Sequence, residues 1–331
     1  MSKGDVHDHL IKSVFSEPSQ AAAWLAETLP PPVVEALDLS ALSLMPGSFV
    51  DDSLSERHTD LLFSARWEDR RPCLVYVLLE HQSTPDPMMA YRLLIYMTRI
   101  WERWRGQEEN RGAVHLPLVI PVVIYHGEKT WKYHGLHQLM DCPEHLSEVL
   151  GSPVPRLDFQ LVDLLNTLDE DIPGKALGRL ALLFLRHFSL GRDLWRVLTE
   201  HSWLIEGAFQ ESGERALRVL LRYLYRAGAP PDPAKVRAFI EETLPQPTRD
   251  AFMQANKTYA DVLIEKGVEE GLAKGVPLGR NTFAIKMLER KFGVLPEYAL
   301  RMIRHADDEK LLRWMERLHD TNTLDELFSE R

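Results

Sequence analysis

A mixed α/β domain followed by all-α regions is the fold class this sequence predicts, and three observations carry the prediction. Between residues 59 and 127 lie three apolar runs of strand length, "TDLLFSARW", "CLVYVLLEHQS" and "LPLVIPVVIYHG", interrupted by one amphipathic helical pattern. From "DEDIPG" onward the apolar residues recur in steps of three and four, the period of a helix. The chain has 331 residues, 45% of them hydrophobic, enough for two or three domains with an ordinary core.

The elements follow in chain order. Leu10, Ile11, Val14, Phe15, Ala22, Leu25 and Leu29 mark two short helices over residues 8–29, separated at Pro18. "LDLSALSLMPGSF" reads as a short extended piece and a turn. The strands at 59–67 and 73–83 are joined by "EDRRP", short and charged enough for an antiparallel hairpin. A helix over 87–106 keeps Met89, Leu93, Tyr96, Met97, Ile100 and Trp104 on one side. In the next run Pro117 and Pro121 predict an edge, a bulge or a late start, because proline donates nothing to a sheet ladder. A further strand is expected near 157–165, in "LDFQLVDLL".

The all-α part begins with segments near 175–188, 192–205, 213–226 and 233–243, with "AGAPPDP" as a linker. Glycines at 267, 271, 275 and 279 then recur every four residues, each costing a helix about 1 kcal/mol relative to alanine. Two readings stand open: a groove for close helix approach, or a flexible linker, which Pro277 favours. "FAIKMLERKFG", "PEYALRMIRHA", "DDEKLLRWMERLHD" and "LDELF" form a final helical module punctuated by Gly293, Pro296 and "TNT". The expected divisions are 1–170, 171–260 and 261–331.

A formal charge of −10 and a pI near 5.7 weigh against coating nucleic acid through the overall field, while leaving room for a local basic groove. Residues 280–317 carry nine Lys or Arg against six Asp or Glu, a slight basic excess. Cys73 and Cys142 stand far apart with no CxxC, as expected of reduced thiols. The opening residues have no apolar signal region and "LPLVIPVVIY" is far short of a membrane span, so a cytoplasmic protein is expected.

Side chains alternate along a strand, so Glu80 and Gln82 share a face and His81 takes the other. If the strand at 59–67 pairs with this one, Asp60 comes near Glu80. Two carboxylates in a small volume repel unless a cation lies between them, and Mg²⁺ prefers such oxygens together with water and phosphate. Phosphate-ester hydrolysis follows as the chemistry. The plainer reading is a solvated strand terminus. His126, His134, His137 and Cys142 lack the paired spacing of a zinc site.

These segments in order, "HDHLIKSVFSEP", "TDLLFSARW" with "LVYVLLEHQS", "YRLLIYMTRIWERW" and "LPLVIPVVIYHGE", resemble the PD-(D/E)XK nuclease superfamily and, within it, the Rpn family of recombination-promoting nucleases. The resemblance covers most of residues 5–170 and is looser over the glycine-repeat helix and final module. It implies a restriction-endonuclease-like mixed sheet flanked by helices, and a Mg²⁺-dependent DNA endonuclease associated with recombination or mobile elements. Asp60 and Glu80 match the metal ligands, Gln82 the position that orients water or phosphate, and Asp8 an accessory helix acid. The glutamine departs from the superfamily's lysine, and an amide supplies neither charge nor proton. Lys12 and Arg92 are candidate substitute cations, and with His126 candidate phosphate contacts. Other arginines of the hairpin and of the helix at 87–106 read equally as solvated. DNA is the expected partner, with a second copy suited to cutting both strands and no membrane contact. A non-catalytic DNA-associated or assembly protein is the alternative, and a hydrolase acting on RNA or nucleotides a third reading.

Overall fold

The computed structural model describes residues 3–46, 59–80, 85–141, 143, 156–228 and 232–329. The chain forms two units, Met1–Tyr259 and Ala260–Arg331. In the first, helices α1 (Lys3–Phe15), α2 (Pro18–Thr28) and α3 (Pro31–Ala36) precede strands β1 (Leu37–Leu44), β2 (Thr59–Trp67) and β3 (Pro72–Glu80). Helix α4 (Met89–Gly106) leads to β4 (Leu118–Tyr125) and β5 (Gln160–Asp163). Helices α5 (Ala176–Ser189), α6 (Leu194–Glu200), α7 (Trp203–Ser212), α8 (Glu214–Ala227) and α9 (Pro233–Thr243) follow. Helix α10 runs from Thr248 to Phe292, and α11 (Glu297–His305), α12 (Asp308–Arg317) and α13 (Leu324–Phe328) complete the second unit.

The sheet is mixed, in the order β1-β2-β3-β4-β5. Both pairings among β1, β2 and β3 are antiparallel, and those of β4 with β3 and β5 are parallel. A parallel neighbour needs a crossover, and α4 supplies the one from β3 to β4. The β2–β3 connection is a tight hairpin loop in which Arg70 takes φ 68° and Asp69 accepts from the Arg71 backbone N–H at 3.1 Å. Pro121 falls one residue before β5 pairing starts at Val122, so it sits where β4 has β3 alone beside it.

Each face of the sheet carries its own core. Leu61, Phe63, Cys73, Val75, Val77, Val122 and Ile124 join the apolar sides of α1, α2, α5, α6, α7 and α8 in one cluster, which extends to Phe239 and Phe252. Leu62, Leu74, Tyr76, Val123 and Tyr125, the intervening residues, pack with Met89, Leu93, Met97, Ile100 and Trp104 of α4. This is the expected fold class: a mixed sheet flanked by helices, with helices following.

The single helix expected over 192–205 is two. Asp193 starts α6 by accepting from the Trp195 N–H at 3.0 Å. Helix α6 ends where the His201 ring bonds the Val197 carbonyl at 3.0 Å and its backbone leaves the helical region. Helix α10 continues through the glycine repeat and Pro277. At Gly279 an added Cβ meets nothing within 4 Å among the described residues, so no close approach requires a glycine there.

The second unit has a small core of Leu288, Ala299, Ile303, Leu311, Trp314, Leu327 and Phe328. Gly293 at φ 80° ends α10, and Asp307 and Thr323 cap α12 and α13 by accepting from the Lys310 and Glu326 N–H groups. Among the described residues no helix is long and apolar enough to cross a membrane.

Candidate active site

The β2–β3 register determines where the two acids stand. Asp60 is the Cα partner of Leu78, and Glu80, two residues further along β3, is the Cα partner of Tyr125 on β4. Residues opposite one another share a face, so Asp60, Leu78 and Glu80 have the same parity as Leu62 and Tyr76, the face covered by α4. Asp60 and Glu80 are diagonal neighbours on adjacent strands, a relation that spaces Cα atoms by roughly 7–8 Å. Backbone is what the structure describes at Asp60 and Glu80; His81 and Gln82 lie outside the described residues.

Arg92 belongs to this face, one turn into α4. Its guanidinium pairs with the Asp86 carboxylate at 2.7 Å and reaches the Tyr96 hydroxyl at 3.4 Å, with 19% of the side chain exposed. The Tyr96 ring meets that of Tyr76 edge-on at 5.8 Å.

Asp8, Lys12 and His126 belong to the other layer. His126 follows Tyr125 directly, so it marks the same end of the sheet as Glu80, but its buried ring packs toward α1 and α5. The Ser189 hydroxyl donates to the Leu185 carbonyl, so the 3.0 Å contact between that hydroxyl and His126 has the imidazole Nδ1–H as donor. The His7 ring stands 5.2 Å from that of His126, and His7 Nδ1 and the Tyr223 hydroxyl share a hydrogen bond of 2.9 Å. Burial raises the Tyr223 phenol far above its ordinary value, so it stays protonated. Through His7, the first half of α1 and with it Asp8 lie at the Glu80 end of the sheet, across from the α4 face. One Asp8 carboxylate oxygen is shielded from solvent, and Lys12 is exposed at the end of α1. Among the described residues no three His, Cys, Asp or Glu side chains gather as a metal site.

Two polar clusters escaped sequence reasoning. Asp169 accepts from Arg186 Nε at 2.9 Å and from His187 Nε2 at 2.8 Å, while Arg186 also donates to the Leu164 and Leu165 carbonyls just past β5. Burial holds His187 below the ordinary histidine value, against the pull of Asp169. Burial works to raise Asp169, yet the His187 hydrogen bond and charge, with those of Arg186, leave it below the usual carboxylate range. The second cluster is a remote cap: Glu211 accepts from the Ala176 N–H and from Gln20 Nε2, both at 3.0 Å, at the start of α5. Separations such as the 191 residues between Gln20 and Glu211 leave no local spacing to detect. Of the first cluster, the "DED" run ahead of a helix was the one available signal.

A family profile described as "Putative transposase, YhgA-like" matches residues 5–215. The chain is 28% identical over 289 residues to the inactive recombination-promoting nuclease-like protein RpnE of Escherichia coli strain K12, covering 86% of this chain and 90% of that one. It is 28% identical over 238 residues to the recombination-promoting nuclease RpnA of the same strain, covering 71% and 76% respectively. Over 239 residues it is 30% identical to the recombination-promoting nuclease RpnD of Escherichia coli O157:H7, covering 71% of this chain and 86% of that one. No solved structure matches the chain.

Proposed function

We propose, since the chain belongs to the YhgA-like transposase family that includes the Rpn proteins, that it is a divalent-metal-dependent DNA endonuclease acting in recombination or mobile-element biology. The observation that carries this reading is the β2–β3 register, which sets Asp60 and Glu80 diagonally on one face. Two carboxylates so related suit one hard cation such as Mg²⁺, with water and substrate phosphate filling its remaining positions. When bound, the ion supplies an acidified water and offsets charge on the phosphodiester.

The chain's own groups do the rest. Asp60 and Glu80 provide the anionic pair. The Gln82 amide both donates and accepts, so it orients water or a phosphate oxygen without contributing charge. Arg92 is the cation this reading keeps on the acidic face, held by Asp86 so that its guanidinium is already ordered when phosphate arrives. Asp8 takes the accessory part from α1, at the same end of the sheet. Lys12 and His126, on that second layer, are weaker candidates for phosphate contact, since His126 is buried against Ser189.

Nicking of supercoiled plasmid by the purified chain in Mg²⁺, abolished by EDTA, is the test, with RNA as competitor to separate the two polynucleotides. DNA binding that persists in wild type without any nicking would favour a non-catalytic DNA-associated protein. Two observations keep that alternative in view: a glutamine in place of lysine, and the word inactive in the name of RpnE.

A further inference from the structure

The loop after β4 is built over the sheet face that carries Asp60 and Glu80. Tyr125, the last residue of β4, is the Cα partner of Glu80 and lies one strand spacing from it, about 4.8 Å. The Tyr125 hydroxyl donates to the Lys129 carbonyl at 2.7 Å, and an added Cβ at Gly127 would collide with that same hydroxyl, so the chain doubles back tightly across the Tyr125 ring. Trp131 and Leu136 anchor the loop in the core on the α4 side of the sheet. Its far end is tied by the Leu136 N–H, which donates to the Leu157 carbonyl at 2.9 Å, and by the Gly135 N–H, which donates to Gln138 Oε1 at 3.0 Å. Over this pinned stretch the side chains of Lys129, Lys132 and Tyr133 stay exposed.

Tyr133 is 42% exposed, and its ring packs on that of Phe159 with centroids 4.7 Å apart and planes 46° from parallel. Phe159 in turn meets Trp131, whose ring is edge-on to Tyr125 at 5.0 Å. A chain of aromatic contacts thus runs from the strand beside Glu80 out to a ring open to water. Lys129 and Lys132 precede that ring, and neither pairs with a described carboxylate. A supported aromatic ring with lysines beside it is the chemistry that takes unpaired nucleotides, because the base stacks on the ring and the backbone lies along the cations. We infer that this loop contacts the substrate strand, stacking an unpaired base on Tyr133 and holding adjoining phosphates on Lys129 and Lys132. The inference rests on the endonuclease reading, which supplies the polynucleotide, and adds to it a subsite for an unpaired nucleotide beside the two acids.

The test is anisotropy binding of the full chain, in EDTA, to a labelled single strand and to a blunt duplex of equal length, across a salt series. Tyr133→Ala should weaken single-strand binding about 5-fold or more, the low end of what one stacked base contributes, and duplex binding by less than about twofold. Tyr133→Phe keeps the ring and should bind as wild type does. Lys132→Glu should weaken single-strand binding and flatten the plot of log affinity against log salt by about 0.7 for each phosphate no longer neutralised. Lys235→Glu, the same charge change at an exposed position on α9, should do markedly less. The exposed Lys132 side chain keeps the test valid should loss of the Tyr133 ring unsettle Phe159. Undiminished single-strand binding by Tyr133→Ala, an equal loss on duplex, equal losses in Tyr133→Phe, or equal effects of Lys132→Glu and Lys235→Glu would overturn the inference, as would a wild type that binds neither oligonucleotide. Because EDTA removes catalysis from the assay, wild type that binds through Tyr133 yet never nicks in Mg²⁺ would sink the endonuclease reading alone. Wild type that nicks while Tyr133→Ala and Lys132→Glu both bind normally would sink the loop contact alone.

Discussion

Asparagine at position 169 would test the turn that follows β5. Asp169 receives two charge-assisted hydrogen bonds, from Arg186 Nε and His187 Nε2, at 2.9 and 2.8 Å. Asp169→Asn preserves the shape and one acceptor oxygen, but turns an NH₂ donor toward one of the two N–H groups. His187 accepts from Arg192 on its other nitrogen at 3.2 Å, so its Nε2 carries the proton and has no alternative role. The loss is one charge-assisted bond and an unsatisfied donor, about 2–3 kcal/mol. Hydrogen exchange of the α5 amides reads this unit directly, and the same free energy corresponds to roughly 30- to 150-fold faster exchange through the opening that breaks the cluster. Exchange in α5 within about twofold of wild type would refute the reasoning, since it would mean that the cluster adds nothing to the packing of α5 on the sheet.

Three further outcomes are expected. Because burial depresses His187, the unfolded chain binds a proton that the folded one resists, so stability is complete above the unfolded histidine value near 6.5 and falls as pH drops below it. The fall is at most about 1.4 kcal/mol per pH unit for this group, and urea unfolding of His187→Gln should show a shallower pH dependence than wild type. Burial pushes the Cys73 thiol up to about 12, so in a Cys142→Ser background Cys73 should resist alkylation near neutral pH until urea unfolds the chain. Gly279→Ala should stabilise the second unit by about 1 kcal/mol in thermal unfolding, as nothing obstructs a Cβ there; a loss instead would restore the close-approach reading of the glycine repeat.

Much of the sheet was legible because strands announce themselves by alternation. "TDLLFSARW" and "PCLVYVLLE" sort their residues into two cores of opposite parity, and "EDRRP" is short enough to permit a hairpin and nothing else. The same alternation put Glu80 and Gln82 on one face, whereas the relation of Asp60 to Glu80 depended on a register between two strands that neither strand contains by itself. Which helix covers that face was not legible, since period two separates the sides of a strand without saying what packs on them. Hence Asp8 was grouped with Glu80 by the family motif and His126 by its place at a strand end, whereas α1 packs on the other layer and reaches the same sheet end through His7. The α6–α7 break was missed because Leu194, Val197, Leu198, Leu204 and Ile205 keep helical spacing across it, while the interruption is a change of backbone angles at His201 alone. The Glu211 cap and the Asp169 cluster are contacts between distant segments, invisible to any window that moves along the chain.

Single-turnover plasmid nicking by wild type, Asp60→Asn and Glu80→Gln in Mg²⁺ goes most directly to the central idea of two acids on one sheet face serving one ion. Each substitution keeps its volume and removes one negative charge, so each should slow nicking by about 100-fold or more while the chain stays folded and DNA binding in EDTA persists. Nicking by either variant at the wild-type rate would contradict the role given to that carboxylate, and equal nicking by all three would remove the site.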